Sequence, residues 1–234
     1  MLQGRTNLPK AVQIYQLIRD EIISLKLQPG TVINEKEITA RTGASRTPLR
    51  EALIQLVQEN LVVVVPGDKT FVSKIRLDEV MEGQLLRDTL ESRVVKLAAR
   101  NYDNKFEPLF DMNMQLQAVA ARNKDVDLFF KFDNEFHELI CACAGHKNIW
   151  SLIRRGTAQL DRIRRFSFVL EDSFDTVMDE HRKMVDNIKS RSQDEAVKVF
   201  HIQIDSIVES INILLMRRPD LVEGHTDLSL DSIR

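Results

Sequence analysis

Apolar residues recur every three to four positions along most of this 234-residue chain, and the places where that rhythm stops or changes period divide it. Over residues 9–27 (PKAVQIYQLIRDEIISLKL), Val12, Tyr15, Ile18, Ile22 and Leu25 fall at helical spacing, and QPG at 28–30 ends the run, so a first helix is expected there. After a short extended TVI, Asn34 is placed to cap a second helix that stops near Gly43. Ser45 is a preferred N-cap, and Pro48 falls in a first turn where a missing N–H costs no hydrogen bond. A third helix therefore opens there, with Leu49, Leu53 and Leu56, widened by Ala52 and Val57, facing inward. Thr47, Arg50 and Glu51 point elsewhere. From Leu61 the period changes: LVVVV is a β-branched run, PGDK a turn and TFVSK a second strand, which together predict a β-hairpin with Gly67, Asp68 and Lys69 at its tip.

From Leu77 onward the pattern is helical throughout. Breaks at 101–105, 122–125, 144–147, 169–173 and 190–193 cut it into six amphipathic segments, which predicts an antiparallel bundle of about six helices. The expected fold is mainly α, with an N-terminal winged helix-turn-helix (three helices plus the hairpin) at 1–75 and an all-helical domain at 76–219. A polar tail at 220–234 is expected to fray. In a helix-turn-helix the second helix of the pair enters the major groove, and here it opens with Arg46 and Arg50 one turn apart at its positive end.

Composition supports a packed core, with 43% hydrophobic residues. The net charge of −2 hides an asymmetry: residues 1–75 hold ten Lys+Arg against seven Asp+Glu (+3), leaving twenty-three against twenty-eight (−5) in the rest. A basic head on an acidic body suits a nucleic-acid module joined to something that does not touch DNA. No run reads as a membrane span and MLQGRTNLPK lacks a signal-peptide core, so a cytoplasmic protein is expected. Cys141 and Cys143, one residue apart on a helix, diverge too far to bridge and are expected to be reduced.

The stretches LQPGTVINEKEIT, GASRTPLREAL and LVQENLVVVVPG, with FV at 71–72, resemble the N-terminal domain of GntR-family bacterial transcription regulators, over essentially all of 9–74. The resemblance implies DNA contacts at Lys36, Ser45, Arg46, Thr47 and Arg50, with Gly67 to Lys69 as the wing tip. Two positions depart from the family pattern. Leu25 stands where a glycine is usual, and Lys69-Thr70 replaces the usual Arg-Gly before the last wing strand, which alters the wing's groove contact.

Within the bundle, Asp133 and His137 are at i, i+4 and project from one helical face among Phe129, Phe130, Phe136 and Ile140. A buried carboxylate and imidazole need partners, either hydrogen bonds within the core or a divalent metal. His181, among Met178, Met184, Val185 and Ile188, lies on a later helix. The bundle resembles the FadR subfamily's C-terminal effector domain over about residues 76–217. That resemblance implies a metal, zinc or nickel, held by one aspartate and three histidines beside a small carboxylate effector. Asp133, His137 and His181 match the first three positions. At the fourth, Gln203 has both the family's spacing from His181 and the inward phase of Ala196, Phe200, Ile207 and Ile211, whereas His201 falls on the face of Lys198, Asp205 and Asn212. Arg87 matches a family arginine that could pair with an effector carboxylate; a salt bridge to Glu91 at i, i+4 is the alternative. The implied protein is a homodimeric, ligand-responsive regulator of a palindromic double-stranded operator, with no membrane partner. The rivals are a constitutive DNA-binding dimer without effector and a metal-dependent enzyme, for which no base or nucleophile is evident.

Overall fold

The computed structural model describes residues 8–67, 69–170 and 173–224, which form two compact units. The first comprises the chain up to Leu77 together with Arg218–Gly224, and the second is built on Asp78–Arg217.

In the first unit, α1 (Lys10–Ile23), α2 (Glu35–Thr42) and α3 (Arg46–Gln58) precede a hairpin of β1 (Val62–Val64) and β2 (Thr70–Val72). The inward stripe of α1 is Ile14, Ile18 and Ile22, fully buried, while Val12 and Tyr15 are half-buried, so the face is rotated from the one periodicity predicts. The rotation lets Tyr15 and Arg19 both bond Glu59 just past α3, clasping the two helices. Asn34 caps α2 by accepting from Glu37 N–H at 3.2 Å, and Gly43 ends that helix at φ 62°, a left-handed conformation that only glycine adopts at no steric cost. Leu25 takes the same left-handed conformation, φ 61°, after α1, which is the physical reason a glycine is usual there. The hairpin registers Val62 with Val72 and Val64 with Thr70, and Pro66-Gly67 turn it; Asp68 lies outside the described residues. The extended segment before α2 joins it, with Gly30 N–H bonded to Val72 O and Ile33 N–H to Thr70 O.

The expected frayed tail is a correction. Leu221 and Val222 are buried, and β4 (Val222–Glu223) pairs in parallel with β3 (Ile75–Arg76). The buried Leu221 and Val222 side chains dock this part of it. Residues 225–234 of that tail lie outside the described residues.

The second unit holds α4 (Leu77–Asn101), α5 (Glu107–Arg122), α6 (Val126–Cys143), α7 (Ile149–Gly156), α8 (Ala158–Leu170), α9 (Phe174–Lys189), α10 (Gln193–Asp205) and α11 (Ile207–Arg217). Its core gathers Val94, Val95, Ala98, Phe110, Phe136, Ile140, Trp150, Met184, Ile188 and Phe200. Two of the six expected segments are each broken once, giving eight helices among the described residues. The first break falls at Gly156-Thr157, where a Cβ on Gly156 would come 2.5 Å from a Leu86 methyl. The second falls at Ser206, whose hydroxyl donates to Gln203 O. By length and hydropathy the span Gln193–Arg217 could cross a membrane, which the polar–apolar pattern does not suggest. Here it is the two helices α10 and α11, with Ala196, Phe200, Ile204, Ile207, Ile211 and Leu214 packed inward.

Candidate nucleic-acid interface and candidate metal centre

At the start of α3, Ser45, Arg46, Thr47 and Arg50 are all exposed, as is Lys36 on α2. Ser45 occupies the N-cap position with extended backbone, yet its hydroxyl makes no capping bond, contrary to the sequence expectation. No side chain of these five has a hydrogen bond or ion pair among the described residues, unlike Arg41, which is tied to Glu21. Polar donors at a helix N-terminus with no internal partner are available to phosphate oxygens and base edges. Gly67 and Lys69 are exposed at the hairpin turn, Gly67 at φ 78°.

The bundle's polar centre is assembled from five helices around α6. Asp125 caps that helix through Leu128 N–H, and one turn of it aims Asp133 and His137 inward, both 2% exposed. His181 comes from α9 and is fully buried. One ligand atom from each of Asp133, His137 and His181 lies within 4.8 Å of the others.

The surrounding bonds determine what those atoms can do. The Phe132 carbonyl can only accept, so it orients the Asn113 amide that donates to it at 3.0 Å. Asn113 Oδ1 then accepts from Gln117 Nε2 at 2.7 Å, which leaves Gln117 Oε1 to accept from His181 Nδ1 at 2.8 Å. The relay assigns the proton of His181 to Nδ1 and leaves Nε2 a bare lone pair. That atom is buried without a hydrogen bond, 3.6 Å from Asp133 Oδ1. Burial lowers the His181 pKa to about 3, so the ring is neutral at ordinary pH. On the other side, His137 Nδ1 donates to Glu91 Oε2 at 2.9 Å, turning its Nε2 inward as well. Burial alone would raise the Glu91 pKa, but Arg87 and His137 outweigh it and hold the carboxyl ionised. Phe136 stacks on His181 and Trp150 on His137, locking both rings.

Two imidazoles whose Nε2 atoms turn inward, each fixed at Nδ1 by an outer hydrogen bond, and a carboxylate beside them are the donor set of a divalent metal centre. The residues therefore fit a metal. Two arginines also enter the cluster. Arg87 bonds Glu91 through Nε at 2.5 Å and places Nη2 3.3 Å from His137 Nε2, so it makes the salt bridge and faces the site together. Arg164 from α8 bonds Asp133 through Nη2 and Asp161 through Nη1 at 2.9 Å. Despite the burial that would raise it, Arg164 keeps the Asp133 pKa below the usual range.

A small cavity of about 50 Å³ opens onto this cluster, lined among others by Arg87, Asp133, His137, Arg164, Gln203 and Ser210. Gln203 is 9% exposed and lies beside Glu180, with neither amide atom in hydrogen-bonding geometry. His201 is half-buried outside it, its Nε2 3.0 Å from Asp88. Sequence reasoning misses Asn113, Arg164 and the outer role of Glu91. Asn113 and Gln117, at i, i+4 on the buried side of α5, carry the one sequence signal of the relay. Cys141 and Cys143 are buried free thiols whose pKa values burial raises to about 12 and about 11.

Two family models match the chain: the bacterial regulatory proteins of the gntR family over residues 10–72, and the FCD domain over residues 84–205. The HTH-type transcriptional repressor RspR of Escherichia coli is 28% identical over 212 residues, covering 91% of this chain and 93% of the repressor. An HTH-type transcriptional regulator from an unstable DNA locus of Streptomyces ambofaciens is 30% identical over 220 residues, 93% of this chain and 90% of that protein. Among solved structures, Escherichia coli McbR/YncC has the same fold at a TM-score of 0.75 and 17% identity, covering 90% of this chain and 99% of that one.

Proposed function

The chain belongs to the gntR family of bacterial regulatory proteins, with an FCD domain behind its DNA-binding domain, and we propose that it is a homodimeric regulator whose operator affinity follows a small carboxylate bound in the bundle. As a member of that family it is a DNA-binding transcription regulator and not an enzyme. Arg46 and Arg50 read base edges, Lys36, Ser45 and Thr47 hold phosphates, and Lys69 with Gly67 follows the adjacent groove. A single head of about 65 residues offers few base contacts, so two heads on a palindromic site are the reading that gives useful specificity.

The observation that carries the effector half is the pair of buried imidazoles turned towards Asp133, next to a cavity lined by Asp133, His137 and Arg87. Asp133, His137 and His181 would hold zinc or nickel, which supplies a Lewis-acid seat for a carboxylate oxygen when bound. Gln203 offers an amide oxygen at the fourth position, a poorer donor than imidazole for either metal. Arg87 supplies the positive charge that orients the acid.

The test is a thermal-shift screen of the full chain with zinc, with nickel and with a panel of small carboxylates, followed by gel shifts on a selected operator. A carboxylate that raises the melting temperature and changes operator affinity is expected. Operator binding that responds to no metal and no acid leaves the constitutive dimer as the better reading.

A further inference from the structure

Asp133 is claimed from two sides. One oxygen accepts from Arg164 Nη2, and the other faces the bare Nε2 of His181 at 3.6 Å. A carboxylate 2% exposed needs a nearby cation, because an unpaired buried charge is strongly unfavourable. Arg164 is that cation. It is held from behind by Asp161 at 2.9 Å, and its guanidinium lies 5.3 Å from the centre of the Phe130 ring, so it is a built contact and not a stray surface group. A divalent metal on Asp133, His137 and His181 would meet the same guanidinium at close range, where like charges repel hardest in a low-dielectric interior.

Resting on the metal and carboxylate reading above, we propose that Arg164 is a stand-in for the metal, which gives up Asp133 when metal binds and offers the released Nη2 to the carboxylate of the effector. Asp161 keeps its hold on Nη1, so the guanidinium stays at the cavity wall. Arg87 approaches the same cavity from α4, and the acid then lies between two arginines, a suitable seat for a planar anion. The consequence is positive coupling. Metal alone must separate a buried ion pair; acid alone finds Arg164 already paired; together, each removes the other's obstacle. Linkage requires the coupling factor to be the same in both directions, and such factors run from about 5-fold to 150-fold.

The experiment is titration calorimetry of the full chain with zinc, in the absence and presence of acetate as the smallest carboxylate probe, on wild type, Arg164→Gln and Arg164→Lys. Thermal melts confirm that each variant is folded. In wild type, acetate is expected to tighten zinc by at least about 5-fold. Arg164→Gln is expected to bind zinc more tightly than wild type without acetate and to lose the acetate effect. Arg164→Lys retains the charge but cannot bond Asp133 and Asp161 at once, and should fall between the two.

Equal zinc affinity in wild type and Arg164→Gln overturns the proposal while leaving the metal centre standing. So does an acetate effect that survives in Arg164→Gln. Absence of zinc binding in all three proteins overturns the metal reading itself, and this proposal with it.

Discussion

At the scale of single residues, the groups proposed to meet DNA and those proposed to meet a ligand differ in what surrounds them. Arg46 and Arg50 are exposed, so their removal should touch recognition and not stability. Arg46→Ala and Arg50→Ala are each expected to weaken operator binding by about 1–3 kcal/mol, with the melting temperature unchanged and binding to scrambled DNA much less affected. Gel shifts on both DNAs decide it, and an unchanged specificity ratio in both variants rules out base reading by this helix. Inside the bundle, Glu180 provides a second test. Burial raises its pKa to about 7 from an ordinary 4.5. A folded-state pKa above the unfolded one means stability that is fully present below about pH 4.5 and lost as pH rises through 7. Glu180→Gln should therefore match wild type at pH 4 and exceed it at pH 8, by something on the order of 1–3 kcal/mol. Paired melts at the two pH values check the sign.

At the scale of elements, the turns and helix phases carry the argument. Gly43 sits at φ 62° with open space where a Cβ would go, so Gly43→Ala meets only backbone strain. A loss of about 1 kcal/mol from the DNA-binding unit is expected in denaturant titration, because an alanine in the left-handed region costs that much. On α10, Gln203 lines the cavity and His201 pairs with Asp88 outside it, two residues and roughly 200° of helix apart. Gln203→His is expected to retain more zinc than wild type after dialysis against a mild chelator, and His201→Ala no less. The reverse pattern would mean that the functional face of α10 is the other one.

At the scale of the whole molecule, the chain has two cores, one closed by α1 to α3, the hairpin and the returning C-terminal strand, the other by α4 to α11. The fragment 78–217 excludes both partners of the β3–β4 pair, so it exposes no half-made strand. It is expected to fold and, if the dimer is built by the bundle, to sediment as a dimer at micromolar concentration. A folded monomer there would move the interface to the other unit.

Much of this was legible from the order of residues because it is local. The 3.6-residue period, the Asn34 cap, Gly43 and the switch to a β-branched run at Leu61 depend only on neighbours, and they specify the helix-turn-helix, the hairpin and the helical body. Asp133 with His137 is likewise a local pair at one helical turn. What the sequence could not show is which distant groups meet them. Arg164 lies thirty-one positions from Asp133 in the chain, and nothing in its surroundings marks it as the partner of that carboxylate. The relay Phe132–Asn113–Gln117–His181 joins three helices, and only their packing makes it directional. The tail's docking on Ile75 and the break at Gly156, against Leu86, follow the same rule: each answers to contacts far away in sequence, which periodicity along the chain does not record. Helices and turns are written in near neighbours; the protonation of His181 and the company of Asp133 are decided by tertiary structure, because a buried polar atom takes its state from whatever partner the fold brings to it.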